Sequence, residues 1–85
     1  MKVWGKIRKD NKTAASHVVT VHTKTAYDVE DWNEPFSRLC HELNLSRPVI
    51  LSTHVRDLEQ VRHTVFFPAD FLEPVDFDRF EVELF

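Results

Sequence analysis

Histidine is the residue type through which this sequence could most directly do chemistry. Five histidines stand among 85 residues, and imidazole serves both as a metal ligand and as a proton carrier near neutral pH. Their spacing does not assemble a site. His17 and His22 are five positions apart on a stretch that reads as a strand, so they point to opposite faces. His41 lies on the polar side of a helix, with no histidine or acid at i+4. Cys40 and His41 are neighbours, about 100° apart around that helix, and do not converge on one ion. No CxxC, HxxxH or HExxH spacing occurs. No metal ligand set is expected.

Nucleophilic and carboxylate chemistry meet similar obstacles. A reactive cysteine needs a lowered pKa and a neighbouring base. Cys40 sits instead in an apolar stripe near a helix C-terminus, where the dipole disfavours a thiolate, so a buried structural thiol is expected. As the single cysteine it forms no intramolecular disulfide, and nothing in the chain requires an oxidising compartment. Asp76 and Asp78 place two carboxylates on one side of an extended stretch, but no calcium loop with its glycine continues from them. Gly5 is the only glycine, which excludes a glycine-rich phosphate loop. The reading is of a noncatalytic protein without a cofactor.

Binding chemistry is better represented. Trp4, Lys6 and Arg8 share one face of the first strand, and an aromatic beside cations can stack a base and pair with phosphates. The whole chain opposes that use, since its net charge is −3 and its isoelectric point about 5.9, whereas nucleic-acid modules are usually basic. The charges are also unevenly placed. Residues 1–25 hold Lys2, Lys6, Arg8, Lys9, Lys12 and Lys24 against Asp10. Residues 68–85 hold Asp70, Glu73, Asp76, Asp78, Glu81 and Glu83 against Arg79. Either the two poles address outside partners, or they meet as cross-strand ion pairs. The second alternative is preferred: if the last strand pairs with the first, Glu81 and Glu83 can face Lys6 and Arg8, each pair contributing about 0.2–1 kcal/mol.

The elements that must position these residues follow from periodicity. Lys2 to Lys9 alternates as a strand, Asp10-Asn11-Lys12 suits a turn, and Ala14 to His22 is a β-branched second strand. Trp32, Phe36, Leu39, Cys40 and Leu43 form one helical stripe over about 31–43, with Asp31 and Glu34 as a capping box. Val49-Ile50-Leu51, after Pro48, reads as a strand buried on both faces. Ser52 or Thr53 would cap a short helix carrying Val55, Leu58 and Val61. Thr64 to Phe67 is a further strand, residues 68–72 a helical turn, and Phe77 to Phe85 the last strand. Its expected outer face is Phe77, Arg79, Glu81, Glu83 and Phe85. The order ββαβ(α)ββ implies an α+β fold, a small twisted and mainly antiparallel sheet with one main helix across one face.

At this length the chain is one domain, residues 1–85, burying roughly 60–65% of its unfolded surface. It begins with no apolar signal segment and contains no run of ~20 apolar residues. A cytoplasmic location is expected. Val3-Trp4-Gly5-Lys6-Ile7, Asp10-Asn11-Lys12, the Phe36/Leu39/Cys40/Leu43/Leu45/Pro48 pattern, Phe71-Leu72-Glu73 and Asp76 to Val82 together resemble a family of small uncharacterised proteins of anaerobic Firmicutes and their relatives. The likeness spans nearly the whole chain and departs at Val49, where an aromatic is expected, and at Thr53-His54. It implies a bacterial stand-alone domain and carries over no site.

The function expected is an interaction or adaptor domain that uses a sheet edge or the outer sheet face. The alternative is a nucleic-acid module built on the hairpin, and a small enzyme ranks third. The candidate surface comprises Trp4, Lys6, Arg8, Lys9, Lys12, Asp76 and Asp78. An unidentified protein partner, rather than nucleic acid or membrane, is expected, with the chain a monomer or a weak edge-paired homodimer.

Overall fold

Asp10 and Asn11 turn the chain back on itself. In the computed structural model, which describes residues 1–85, both adopt left-handed backbone, with φ of 54° and 62°. Two such residues in a hairpin loop match the right-handed twist of the strands on either side. Strands β1 (Lys2–Lys9) and β2 (Lys12–Thr20) pair antiparallel across this turn, with a register shift between Ile7 and Arg8 that leaves Ala14 as a bulge. Two later strands, β3 (His63–Phe66) and β4 (Arg79–Leu84), complete a four-stranded sheet in the order β2-β1-β4-β3. Every neighbouring pair is antiparallel. The first and last strands are therefore neighbours, as the charge pattern implied, with Val3 opposite Leu84 and Lys6 opposite Glu81.

Two ten-residue helices, α1 (Asn33–Glu42) and α2 (Ser52–Val61), pack on one side of the sheet. α1 buries Pro35, Phe36, Leu39 and Cys40, and α2 buries His54 and Leu58. They meet Val3, Phe66, Phe80 and Val82, all fully buried, in one continuous core. Gly5 permits the closest approach: a Cβ there would lie 2.7 Å from Leu39 Cδ2 and 2.9 Å from the Phe80 ring. The fold is α+β.

Several local expectations are corrected. Val49-Ile50-Leu51 forms no strand: Val49 and Leu51 are exposed, and only Pro48 bridges to Phe71. The order is thus ββααββ, with two comparable helices rather than one main one. Periodicity alone does not separate a short apolar run from a helix approach, and here the run feeds directly into α2. Leu51, not Ser52 or Thr53, is the N-cap of α2. The expected Asp31–Glu34 capping box does not form: Trp32 is the N-cap of α1, and Asp31, one residue before it, accepts the Asn33 N–H at 2.9 Å. β2 ends at Thr20, so His22 lies beyond it. β4 begins at Arg79, and Phe77, expected on the outer face, is buried edge-on against Phe71 at 5.4 Å.

Candidate functional site

Alternation along the strands divides the sheet into a helix-covered face and a free one. In β4 the pattern is regular: Phe80, Val82 and Leu84 are buried, while Arg79, Glu81 and Glu83 are half-buried on the other side. Their ladder partners Trp4, Lys6 and Arg8 in β1 share that side, as do His63 and Val65 in β3 and Val18 in β2. No helix covers these residues. Three of the seven residues expected to form the candidate surface, Trp4, Lys6 and Arg8, are thereby brought together.

At the centre, one carboxylate serves three cations. Glu81 accepts from Arg79 Nε at 2.9 Å and lies 3.9 Å from Arg8 Nε and 4.0 Å from Lys6 Nζ. The Arg79 hydrogen bond holds its carboxyl below the usual range; burial opposes it, and the charges of Arg79, Lys6 and Arg8 each add a smaller lowering effect. Glu83, expected to face Arg8, stands opposite Trp4 instead. One aromatic corner completes the face. Trp4 and Phe85 meet edge to face at 6.1 Å, Lys6 Nζ sits 4.2 Å from the Trp4 ring, and Lys2 Nζ lies 6.0 Å from the Phe85 ring. Phe85, expected on the outer face but not among the candidate surface residues, is carried there by its backbone pairing with Lys2.

The other four residues lie elsewhere. Lys9 Nζ pairs with Asp76 at 3.5 Å, and the Asp10 N–H donates to Asp78 Oδ2 at 2.9 Å. Asp78 also donates its own N–H to the Arg8 carbonyl at 2.9 Å. These contacts tie the hairpin end to the segment entering β4, so Asp76 and Asp78 belong to a brace and not to a carboxylate pair on a strand face. Lys12 remains exposed at the turn.

The largest concavity, about 690 Å³, lies between the hairpin end and residues 43–46 and 73–77. Ile7, Ala15, Leu43, Leu45, Val75 and Phe77 supply its apolar lining, with Lys9 and Asp76 beside them. It contains neither histidine nor cysteine. Cys40 is buried, and burial pushes its thiol up to about 11 despite the nearby charge of Arg47. His17 and His41 share a second cleft between β2 and α1 with Glu42, but no group of three or more His, Cys, Asp or Glu side chains is placed to hold an ion.

One histidine with a defined role lies in the first turn of α2. His54 is buried, accepts the Leu51 N–H at Nδ1 at 3.0 Å, and stacks on Phe66 at 4.2 Å. No sequence signal marks it, since its partner Leu51 is not a capping residue type and the expected N-cap is Ser52 or Thr53. No helix is long and apolar enough to cross a membrane. No protein-family model, curated protein or solved structure matches the chain.

Proposed function

We propose that the protein is a noncatalytic interaction domain whose contact surface is the helix-free face of the sheet. One observation carries this reading: the helices cover only one face, and the other presents the Trp4–Phe85 corner beside Val18 and Val65. Aromatic residues set among polar neighbours supply much of the energy of protein contacts. The central cations favour a protein partner over a polyanion. Glu81 offsets part of the charge of Lys6, Arg8 and Arg79, and Glu83 beside Trp4 adds a second carboxylate, so these five residues together are only weakly positive.

The test is site-specific crosslinking in the source cell. A photoreactive residue at Val65, on the free face, should capture a defined protein, and the same group at Arg56 on α2 should not. Trp4→Ala, with an unchanged thermal melt, should abolish capture. Equal capture from both positions, or capture indifferent to Trp4→Ala, would overturn the proposal.

The cation held over Trp4 favours a second reading, in which the same corner binds single-stranded nucleic acid through Trp4, Lys6 and Arg8. A salt-dependent mobility shift with an RNA or DNA oligonucleotide, lost in Trp4→Ala, would support it in place of the first.

A further inference from the structure

We propose that β2 is the interface of a two-fold dimer, in which a second copy of this chain adds its own β2 antiparallel to the free edge. The inference is independent of what the helix-free face binds. Backbone bonding in the hairpin determines which groups are free. Met1 and Val21 exchange both bonds: the α-amino group of Met1 donates to the Val21 carbonyl at 3.1 Å, and the Val21 N–H donates to the Met1 carbonyl at 2.9 Å. Antiparallel ladders alternate such pairs. Val19 and His17 therefore turn their backbone groups toward β1, while Ser16, Val18 and Thr20 turn theirs outward. The other side of β1 obeys the same alternation, since Lys2 exchanges both bonds with Phe85 of the β4 side.

Such an edge is a template for another strand unless something blunts it. β2 is nine residues long, contains no proline, and carries no Lys, Arg, Asp or Glu from Thr13 to Thr20. The bulge at Ala14 lies outside the stretch from Ser16 to Thr20. Arg38 is the one cover: its Nη2 donates to the outward Thr20 carbonyl at 3.0 Å, and a carbonyl oxygen keeps a second lone pair for a strand.

A second copy fits this edge because the segment is self-complementary. A two-fold axis at Val18 sets the two Val18 residues opposite each other and Ser16 opposite Thr20, so each outward N–H meets an outward carbonyl. No like charges face one another on the seam. α1 adds a match of charge. Arg38, paired with Glu34 of its own helix at 2.9 Å through Nε and leaving Nη1 free, reaches Thr20, while His41 and Glu42 share a cleft with His17, so α1 runs antiparallel to β2. The axis then carries Glu42 of one copy toward Arg38 of the other. An extended peptide from an unrelated protein would satisfy the backbone groups without this pairing.

Sedimentation velocity of the full chain from micromolar to millimolar concentration tests the dimer. The wild type should shift from monomer to dimer across that range, and hydrogen exchange at the Ser16, Val18 and Thr20 amides should slow in parallel. Val18→Pro removes an outward N–H while leaving the β1 ladder intact, a position where edge strands tolerate proline. It should stay monomeric with a native circular dichroism spectrum. Val18→Lys, which sets two like charges across the axis, should do the same and covers the case in which the proline variant fails to fold. Glu42→Arg should weaken the dimer several-fold. A wild type monomeric throughout, or a dimer unchanged in Val18→Lys or in Glu42→Arg, would overturn the proposal.

Discussion

Glu81 stands directly opposite Lys6 in the central ladder of the sheet, their charged atoms 4.0 Å apart. This pair is where the cationic start of the chain and its acidic end meet. The same carboxylate reaches Arg8 across the ladder and Arg79 along its own strand, and Lys9 meets Asp76 nearby, so part of the charge split of the sequence goes into joining the two ends of the chain. Such pairing also specifies register. A slip of one residue would move Phe80 and Val82 out of the core together with Glu81 out of its cation cluster.

Glu81→Gln should destabilise the protein at neutral pH by about 1–2 kcal/mol, between the values for exposed and buried ion pairs. The pH dependence has a definite sign. The Arg79 hydrogen bond, helped by the charges of Arg79, Lys6 and Arg8, depresses the folded-state pKa of Glu81, so its contribution is present above the unfolded value of about 4.3 and is lost as pH falls through the folded value. Urea titrations at pH 7 and in the acid range should show the gap between wild type and Glu81→Gln closing as the pH falls. A gap that stays constant would refute the role of the carboxylate charge.

Gly5→Ala should cost about 1–3 kcal/mol, the range for overpacking a filled core. The added methyl would sit 2.7 Å from Leu39 Cδ2 and 2.9 Å from the Phe80 ring. Neither neighbour has room to withdraw, since Leu39 and Phe80 are both fully buried. The partner in the clash can be checked directly. In a Leu39→Ala background the same glycine substitution should cost clearly less, as expected for residues in contact, and equal costs in both backgrounds would locate the strain elsewhere.

Cys40 gives a prediction at the alkaline end. Burial raises its thiol to about 11 in the folded protein, against about 8.5 in an unfolded chain. Between those values the folded state holds the proton more tightly, so stability falls as pH rises. The loss should approach on the order of 2–3 kcal/mol by pH ~11, and Cys40→Ala should lack that part of the slope. Thiol reagents should label the native protein slowly at pH ~7 and rapidly once it is unfolded.

What could be read in advance was what period and charge specify. The stripe Phe36, Leu39 and Cys40 located α1, and the two poles located the β1–β4 pairing, because both signals depend on positions already fixed by helix and strand geometry. The run from Val49 to Leu51 misled, since apolarity without alternation has no period and its exposure depends on where α2 begins. Asp76 and Asp78 looked free because their partners, Lys9 and the Asp10 N–H, are more than sixty residues away in the chain. The candidate surface was half legible for a related reason. Strand alternation placed Trp4, Lys6 and Arg8 on one face, but only the tertiary pairing of Lys2 with Phe85 brings the second ring beside Trp4.

His54 caps and packs, and its Nε2 also stands 3.8 Å from Asp70 Oδ2. Its Nδ1 accepts the Leu51 N–H at 3.0 Å, and its backbone N–H donates to the Leu51 carbonyl at 3.0 Å, closing the first turn of α2. Its ring also fills the space against Phe66 at 4.2 Å. His54→Phe keeps an aromatic ring of similar size but leaves the Leu51 N–H without an acceptor and removes the approach to Asp70, and should cost about 1–2 kcal/mol, as for loss of a helix cap. His54→Ala loses the cap and the packing together, and should cost about 3–5 kcal/mol by analogy with buried aromatic truncations. Denaturant unfolding of both variants separates the contributions. Amide exchange at Leu51 adds a local readout, because both variants should accelerate it. If His54→Phe were as stable as wild type, with Leu51 exchange unchanged, the capping bond would contribute nothing and His54 would be a packing residue alone.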